Sequence, residues 1–458
     1  MEDMKNGKRS SFSGKLGYVL AAAGASVGLG NIWRFPYLAA KYGGGIFLII
    51  YIVLALTFGY TMIVAETAIG RMTRKSPVGA FKSFGKKKWL SFGGWINAVI
   101  PVLIVPYYSV IGGWVIKYLV EYFRGNAKLL AEDGYFTDFI SNGVSTELCF
   151  VAFCAFTLII IFAGVQNGIE RVSKIMMPIL IVLSVIIAVY SVTRPGALAG
   201  VKYFLVPNVK NFSWMTVVSA MGQMFYSLSI AMGILITFGS YMKKDTAIED
   251  STRNVEIFDT GIAIMAGLMI IPAVFAFSGG DPDTLQAGPS LMFITIPKVF
   301  QNMGFGTVIG IVFFVLVLFA AVTSSIALTE SAVSTFEDEL GWGRKKATVL
   351  VGVIMLALGS LSSLGYGPLA GIKIIGMQFL DLFDFLTNSV MMPIAALLTS
   401  LFVSRVVGID KIEEEIIHGE SAFRRKKVFV VMIKYLCPVF AIIILLSSVA
   451  NALGWIKM

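Results

Sequence analysis

The sequence has little of the chemistry that enzymes and metalloproteins use at their sites. Its 458 residues include a single histidine, His418, and three cysteines, Cys149, Cys154 and Cys437. This supply permits no Ser–His–Asp set and no cluster of His and Cys ligands, and the cysteines suit no disulfide pattern. We therefore expect that the protein is not an enzyme.

Charged residues are also scarce, at 14% of the chain, whereas apolar residues make up 57% and the mean hydropathy is +0.82. These values exclude a soluble globular protein of this length. The long apolar runs predict an all-α polytopic membrane protein with about eleven spans. The predicted spans are residues 16–37, 46–70, 91–123, 148–165, 175–192, 215–238, 257–277, 308–330, 347–364, 379–403 and 428–453.

The net charge of +10 is concentrated in alternate loops. Its basic clusters all fall on one side of the membrane if the N-terminus is cytoplasmic, as the positive-inside rule expects. This distribution indicates contact with the inner membrane surface and predicts no nucleic-acid partner. No cleavable signal peptide is apparent, so we predict a multi-pass protein of the cell membrane with its C-terminus outside. The clusters lie at residues 5–15, 71–88, 243–253, 344–346 and 424–427.

One stretch of the first span departs from the pattern of a membrane helix. Residues 24–36 read GASVGLGNIWRFP and place three glycines, Asn31, Arg34 and Pro36 close to the expected middle of the membrane. Glycine weakens a helix, proline removes a backbone donor, and polar side chains are costly in lipid. Unwound backbone at this depth survives only where it is buried in protein or lines a cavity, where it can bind ions. We therefore interpret this stretch as a binding site.

The sixth span carries a second irregular stretch, residues 223–233, with Gln223, Ser227, Ser229 and Gly233. The first and sixth spans each begin a group of five. Interrupted helices at corresponding places in two halves indicate an inverted-repeat transporter with its site between the halves. We predict one transporter domain over residues 1–458, with repeats at about 15–192 and 214–404 and an additional helix at about 428–453.

Several other polar residues lie at membrane depth, and two interpretations are open for most of them. Glu66 either binds freed amides of the broken first helix or forms a structural ion pair. Tyr108 either contacts a ligand or packs with one hydrogen bond. The hydroxyls of residues 323–325 either bond to their own helix or supply oxygen ligands to sodium. Asp259, a few residues into the seventh span, requires a cation or a strong hydrogen-bond donor nearby.

Two loops also have a recognisable pattern. Gly168, in the predicted loop before the fifth span, and Pro178, near the start of that span, mark either a simple helix start or a point of local unwinding. The outside segment 278–306 is rich in Gly, Pro and Asp. Its short apolar piece, residues 291–300, is expected to fold back as a lid.

Three motifs together resemble the neurotransmitter:sodium symporter family. They are GLGNIWRFP at residues 28–36, AETAIGR at 65–71 and TSS at 323–325. The resemblance covers essentially the whole chain, and the number of spans is similar to that of the shorter bacterial branch. It implies the leucine-transporter fold: two inverted five-helix repeats plus one additional helix, with substrate and two sodium ions at the broken first and sixth helices.

The resemblance also implies two sodium sites made of oxygen ligands, a donor set that suits a hard monovalent cation. The first would comprise the carbonyl of Ser26, the side chains of Asn31, Ser227 and Asp259, and the carboxylate of the bound substrate. The second would comprise the carbonyls of Gly24, Val27 and Ala320 with the hydroxyls of Thr323 and Ser324.

The same resemblance implies how an amino acid would bind. Its carboxylate would meet the amides of Leu29 and Gly30 and the Tyr108 hydroxyl. Its ammonium would meet the carbonyls of Ser26, Tyr226 and Ser227 and the Ser229 hydroxyl. Its side chain would enter an apolar pocket with a flexible thioether, suited to aliphatic or aromatic side chains. That pocket would comprise Ile104, Tyr108, Tyr226, Ala231, Met232, Ser324 and Leu328.

Two departures from the family pattern narrow the expected function. Gly28 stands where monoamine transporters carry an aspartate, so the substrate is expected to bring its own carboxylate. Asp259 replaces the family's asparagine, and Ala263 stands where chloride-dependent members have a serine. An acid in this place, expected beside Tyr51, Gln223 and Ser227, repels an anion, so we expect no chloride requirement.

Two charge pairs are expected to act as gates: Arg34 with Asp384 outside, and Arg9 with Asp338 inside. In alternating access each pair forms when its side closes, and sodium raises substrate affinity by linkage. The sequence therefore predicts sodium-coupled symport of a hydrophobic L-amino acid into the cell. A non-transporting amino-acid sensor of the same fold is the alternative; an ion channel would need a continuous polar pore.

Overall fold

The computed structural model describes residues 9–85, 87–279, 288–452 and 455. The predicted basic residues Lys5 and Lys8, and part of the predicted outside segment 278–306, lie outside this described part. Within it, nine continuous helices are long and apolar enough to cross a membrane. They are Gly45–Thr73, Lys88–Phe123, Gly143–Phe162, Val165–Val192, Ile248–Ser278, Gly306–Leu340, Arg344–Leu364, Phe379–Val407 and Lys426–Asn451.

Two further crossings are interrupted. The first span consists of Lys15–Ser26 and Gly30–Lys41, which meet at an angle of 53°. The sixth span consists of Trp214–Ser227 and Ile234–Ser240. In the described residues, the bent first pair brings the number of apolar crossings to ten, and the interrupted sixth pair would be the eleventh. The predicted all-α polytopic architecture is thus confirmed. The shorter helices between spans are Pro77–Lys82, Ala127–Leu130, Tyr135–Ser141, Ala197–Leu205, Val209–Asn211, Leu291–Gln301 and Ile409–Ile417.

Of the continuous spans in the described part of the chain, the second, third, seventh and eighth are the most deeply buried. Between 61% and 78% of the most apolar stretch of each is buried, compared with 33% for the fifth and eleventh spans. The third and eighth spans pack extensively against each other. The first half of the first span is buried from Gly17 to Ser26. The breaks in the first and sixth spans are therefore enclosed by protein rather than exposed to lipid.

The start of the fifth span differs from the sequence prediction. The helix begins at Val165, directly after a two-residue link, so Gly168 and Pro178 both lie inside the helix. A Cβ atom on Gly168 would lie 2.1 Å from the carbonyl oxygen of Ile160. Glycine is therefore required here because the fourth and fifth spans approach closely. It marks neither a helix start nor an unwound segment in this structure.

The basic clusters meet on one face of the molecule. Arg71, which is fully buried at the end of the second span, binds Glu415 at 2.7 Å in the helix after the tenth span. Lys244 binds the same carboxylate at 2.7 Å. Arg425 binds Glu256 at 3.3 Å near the start of the seventh span. These ion pairs thus join loops that are distant in sequence, on the face that the positive-inside rule predicts to be cytoplasmic.

The apolar piece of the loop before the eighth span folds back onto the protein. Helix Leu291–Gln301 buries Phe293, whose ring lies 6.4 Å from that of Trp33 and 5.8 Å from that of Trp114. Edge-to-face aromatic contacts at these distances are favourable. The helix therefore covers the outer half of the first span.

Candidate functional site

The break in the first span is a point of close approach between three helices. Residues 27–29 link its two halves, and Val27 has an extended backbone conformation. A Cβ atom on Gly24 would lie 3.1 Å from Thr323, and one on Gly30 would lie 2.4 Å from the ring of Tyr226. The glycines thus both weaken the helix and let the sixth and eighth spans approach its backbone.

The break in the sixth span runs from Leu228 to Gly233. Ser229, Ala231 and Gly233 have φ angles of +53°, +58° and +70°. The left-handed conformation costs a residue with a Cβ atom about 1–2 kcal/mol, so the surroundings must hold this segment in place. The carboxylate of Glu66 contributes, because it accepts a 2.7 Å hydrogen bond from the amide of Ala231. Glu66 therefore satisfies an amide of the broken sixth helix, and not of the first helix as predicted.

Hydrogen bonds join the two breaks directly. The Ser229 hydroxyl donates to the carbonyl of Ala25 at 2.9 Å, and the Ser26 hydroxyl lies 3.4 Å from the carbonyl of Leu228. The amide of Gln223 donates to the carbonyl of Gly30 at 3.0 Å. The unwound segments therefore satisfy one another's carbonyl groups, as buried polar backbone requires.

A fully buried carboxylate, that of Asp259, lies beside the first break. It accepts hydrogen bonds from the Asn31 amide at 2.8 Å, the Tyr51 hydroxyl at 2.9 Å and the Ser227 hydroxyl at 2.9 Å. Asp259 lies eleven residues after Ile248, where the helix that carries it begins. Gln223, predicted as a neighbour, instead binds Gly30.

A second group of oxygens lies between the first and eighth spans. The Ser324 hydroxyl is 3.2 Å from the carbonyl of Gly24 and 3.5 Å from that of Val27. The Thr323 hydroxyl is 3.2 Å from the carbonyl of Ala320. The structure thus places all five oxygens predicted for the second sodium site in one region, where the hydroxyls donate to neighbouring carbonyls. None of them carries a formal charge.

A small cavity of about 30 Å³ lies between the breaks. Ten residues predicted to bind substrate line it: Ser26, Leu29, Gly30, Ile104, Tyr108, Tyr226, Ser229, Met232, Ser324 and Leu328. Two residues predicted to bind substrate, Ser227 and Ala231, do not line the cavity. Ser227 points to Asp259, and Ala231 is fully buried with its amide on Glu66. Ala25 and Gly28 line the cavity in addition.

The inner charge pair is formed. Arg9 binds Asp338 and also donates to the hydroxyls of Ser240 at 3.0 Å and Ser334 at 2.7 Å. Its guanidinium lies 5.1 Å from the centre of the Tyr241 ring. These contacts join the N-terminal segment to the sixth and eighth spans at this face.

The outer charge pair is not formed. Arg34 lies over the ring of Tyr226 at 5.2 Å, and no ion pair of the described chain joins it to Asp384. Asp384 instead accepts hydrogen bonds from Tyr107 at 3.2 Å and from Asn388 at 2.5 Å. An outer cavity of about 520 Å³ is lined by all five of these residues, Arg34, Tyr107, Tyr226, Asp384 and Asn388. Sequence reasoning missed Tyr107 and Asn388, although the four-residue spacing from Asp384 to Asn388 on a helix was a signal.

The chain is similar in sequence to known membrane transporters over nearly its whole length. Residues 9–137 and 134–455 match the model of the sodium:neurotransmitter symporter family. The chain is 34% identical over 450 residues to the sodium-dependent transporter YhdH of Bacillus subtilis, covering 97% of this chain and 99% of the relative. It is 31% identical to a sodium-dependent transporter of Haemophilus influenzae, covering 97% and 99%.

A solved structure has the same fold. It is the crystal structure of MhsT in complex with L-phenylalanine, which is 34% identical and superimposes with a TM-score of 0.86. The match covers 96% of this chain and all of that chain. This similarity confirms the predicted leucine-transporter fold of two inverted five-helix repeats plus one additional helix.

Proposed function

We propose that this chain, which belongs to the sodium:neurotransmitter symporter family, carries a hydrophobic L-amino acid into the cell together with sodium. The proteins of this family are transporters and not enzymes. The observation that supports this most is the cavity between the two breaks. One end is backbone of the first span, and the remaining wall is mainly apolar, with Ile104, Met232 and Leu328.

The polar end of the cavity suits the main-chain groups of an amino acid. The amide of Leu29 donates to the Tyr108 hydroxyl over a long distance of 3.4 Å, so this hydrogen bond is weak. A substrate carboxylate can replace it with a stronger hydrogen bond. The amides of Leu29 and Gly30 lie at the start of the second half of the span, where a helix favours negative charge. Gly28 has no side chain to occupy this place. The carboxylate therefore comes from the substrate.

The two groups of oxygens supply the sodium sites. The first site would use the Ser26 carbonyl, Asn31, Ser227, Asp259 and the substrate carboxylate. The second would use the carbonyls of Gly24, Val27 and Ala320 with the hydroxyls of Thr323 and Ser324. Hard oxygen donors with little formal charge suit Na⁺ better than a divalent ion. Because the first site is completed by the substrate, binding of the amino acid and of sodium are linked.

The position of Asp259 argues against a chloride requirement. Its carboxylate occupies the donors that Tyr51 and Ser227 present, at 2.9 Å each. A second anion among these groups would lie close to a buried negative charge, where repulsion is strong. Asp259 thus supplies from the protein the negative charge that a bound chloride would supply.

The cytoplasmic position of the N-terminus and the external C-terminus belong to the same proposal. They rest on the shared face of the basic clusters and on an odd number of spans. The inner pair Arg9–Asp338 is formed and the outer pair Arg34–Asp384 is open, the combination that alternating access assigns to a transporter that faces the outside. In this orientation the protein is ready to take up substrate from the external solution.

The test is binding of radiolabelled L-phenylalanine, L-leucine, L-tryptophan and L-methionine to purified protein, in sodium or potassium, each with and without chloride. We expect at least one amino acid to bind in sodium only, with the same affinity in both anion conditions. Competition among the four then measures the size of the pocket. Equal binding in potassium would refute sodium coupling, and loss of binding without chloride would refute the role given to Asp259.

A further inference from the structure

The carboxylate of Asp384 is held at one oxygen only. The hydroxyl of Tyr107 and the amide of Asn388 both donate to Oδ1, at 3.2 Å and 2.5 Å. No hydrogen bond from the described residues reaches Oδ2. Residues around the outer cavity include Asp384. One oxygen is therefore fixed by the protein, while the other is available to an incoming donor.

Both donors are themselves well positioned. Tyr107 is only 1% exposed, and its hydroxyl lies 3.4 Å from that of Thr387. Asn388 also lies 3.3 Å from the Tyr107 hydroxyl, so the three groups form a connected set. Asn388 belongs to the π-helical segment Phe385–Met391, a wider turn that is frequent at functional sites. The third and tenth spans thus present the carboxylate together.

The cation lies on the opposite wall of the same cavity. Arg34, from the first span, rests over the Tyr226 ring of the sixth span, at 5.2 Å. The interrupted first and sixth spans therefore carry the cation, and the third and tenth spans carry the anion. Bringing the two walls together joins Arg34 to the free oxygen of Asp384.

We propose that Tyr107 and Asn388 are positioning residues of the outer gate, which hold Oδ1 of Asp384 so that Oδ2 meets Arg34 when the gate closes. This inference rests on the proposed transport function. A guanidinium binds a carboxylate best in a fixed planar geometry, so a carboxylate that rotates freely must lose entropy before the pair forms. The two residues remove that cost before closure.

A second feature of Asn388 supports this role. Its Oδ1 is buried and accepts no hydrogen bond from the described chain. The Nδ2 group must face the carboxylate, because an amide oxygen there would be repelled. The guanidinium of Arg34 has five N–H donors, enough to bind Oδ2 of Asp384 and the free amide oxygen together. Asn388 thus supplies an acceptor that closure satisfies.

The experiment compares Asn388→Leu, which keeps the volume but removes both polar groups, with Tyr107→Phe and with the control Ser389→Ala. Ser389 also lines the outer cavity. Closure retains the substrate, so we expect each test variant to bind radiolabelled L-phenylalanine about tenfold more weakly and release it faster. The sodium concentration that half-maximally stabilises the substrate-free protein against heat should stay at the wild-type value. The control should match wild type in both measurements.

A double-variant comparison separates this role from general damage. In an Asp384→Asn background, Tyr107→Phe should cause no further loss, because the carboxylate that Tyr107 positions is absent. Wild-type affinity in both single variants, or additive losses in the Asp384→Asn background, would overturn the inference while leaving the transport proposal intact. Failure of the wild-type protein to bind any of the four amino acids in sodium would overturn both.

Discussion

Replacing Gly28 by alanine is expected to weaken amino-acid binding about 5- to 150-fold. A Cβ atom at this position would lie 2.6 Å from the hydroxyl of Ser324 and 3.1 Å from that of Tyr108. The Ser324 hydroxyl cannot turn away freely, since it donates to carbonyls of the first span. Overpacking costs about 1–3 kcal/mol, which corresponds to about a 5- to 150-fold loss of affinity.

Binding of L-phenylalanine by equilibrium dialysis measures this effect. The control is Gly261→Ala in the seventh span, where an added Cβ atom meets nothing within 4 Å. That variant should bind as wild type does. If Gly28→Ala also binds normally, the carboxylate of the substrate does not occupy the space beside Gly28, and the proposed first sodium site loses one of its ligands.

Replacing Thr323 by valine should eliminate sodium-driven uptake while preserving the fold. The change keeps the volume and removes one of the five oxygens of the second proposed sodium site. The hydroxyl donates only to carbonyls of its own helix, Phe319 at 2.9 Å and Ala320 at 3.2 Å, so packing is unaffected. Even residues that only support metal ligands typically contribute about 10- to 100-fold to affinity, and a direct ligand should contribute at least as much.

The measurement is initial uptake as a function of sodium concentration. Thr329→Val is a closely matched control, because its hydroxyl lies in the same helix, is equally buried and donates to the carbonyl of Ser325 at 2.7 Å. It should transport normally. Wild-type uptake by Thr323→Val would show that no sodium ion depends on this hydroxyl.

Hydropathy and helix-breaking residues were sufficient to predict the architecture and the breaks in the first and sixth spans. The glycines and polar residues of the first span, and the serines and Gly233 of the sixth, marked the breaks because no lipid-facing helix accommodates them. Helix ends were predicted less well. The seventh span begins at Ile248, nine residues before its apolar run, because charged residues such as Glu249 and Asp250 continue the helix beyond the membrane.

The contacts that sequence could not predict depend on the orientation of side chains at the unwound segments. Glu66 binds the amide of Ala231, and Ala231 consequently lies behind the cavity instead of lining it. Gln223 binds Gly30 rather than joining the Asp259 cluster. Unwound backbone has no fixed periodicity, so spacing along the chain does not tell which group faces which. The outer pair Arg34–Asp384 depends in addition on the conformational state.

Uptake by proteoliposomes under an imposed sodium gradient tests the central claim most directly. We expect radiolabelled L-phenylalanine to accumulate above its external concentration when sodium is high outside. Accumulation should disappear when potassium replaces sodium and remain when gluconate replaces chloride. Sodium-dependent binding without accumulation would show that the protein is an amino-acid sensor. Uptake that reaches only the external concentration, whatever the gradient, would show a passive pathway and contradict coupled symport.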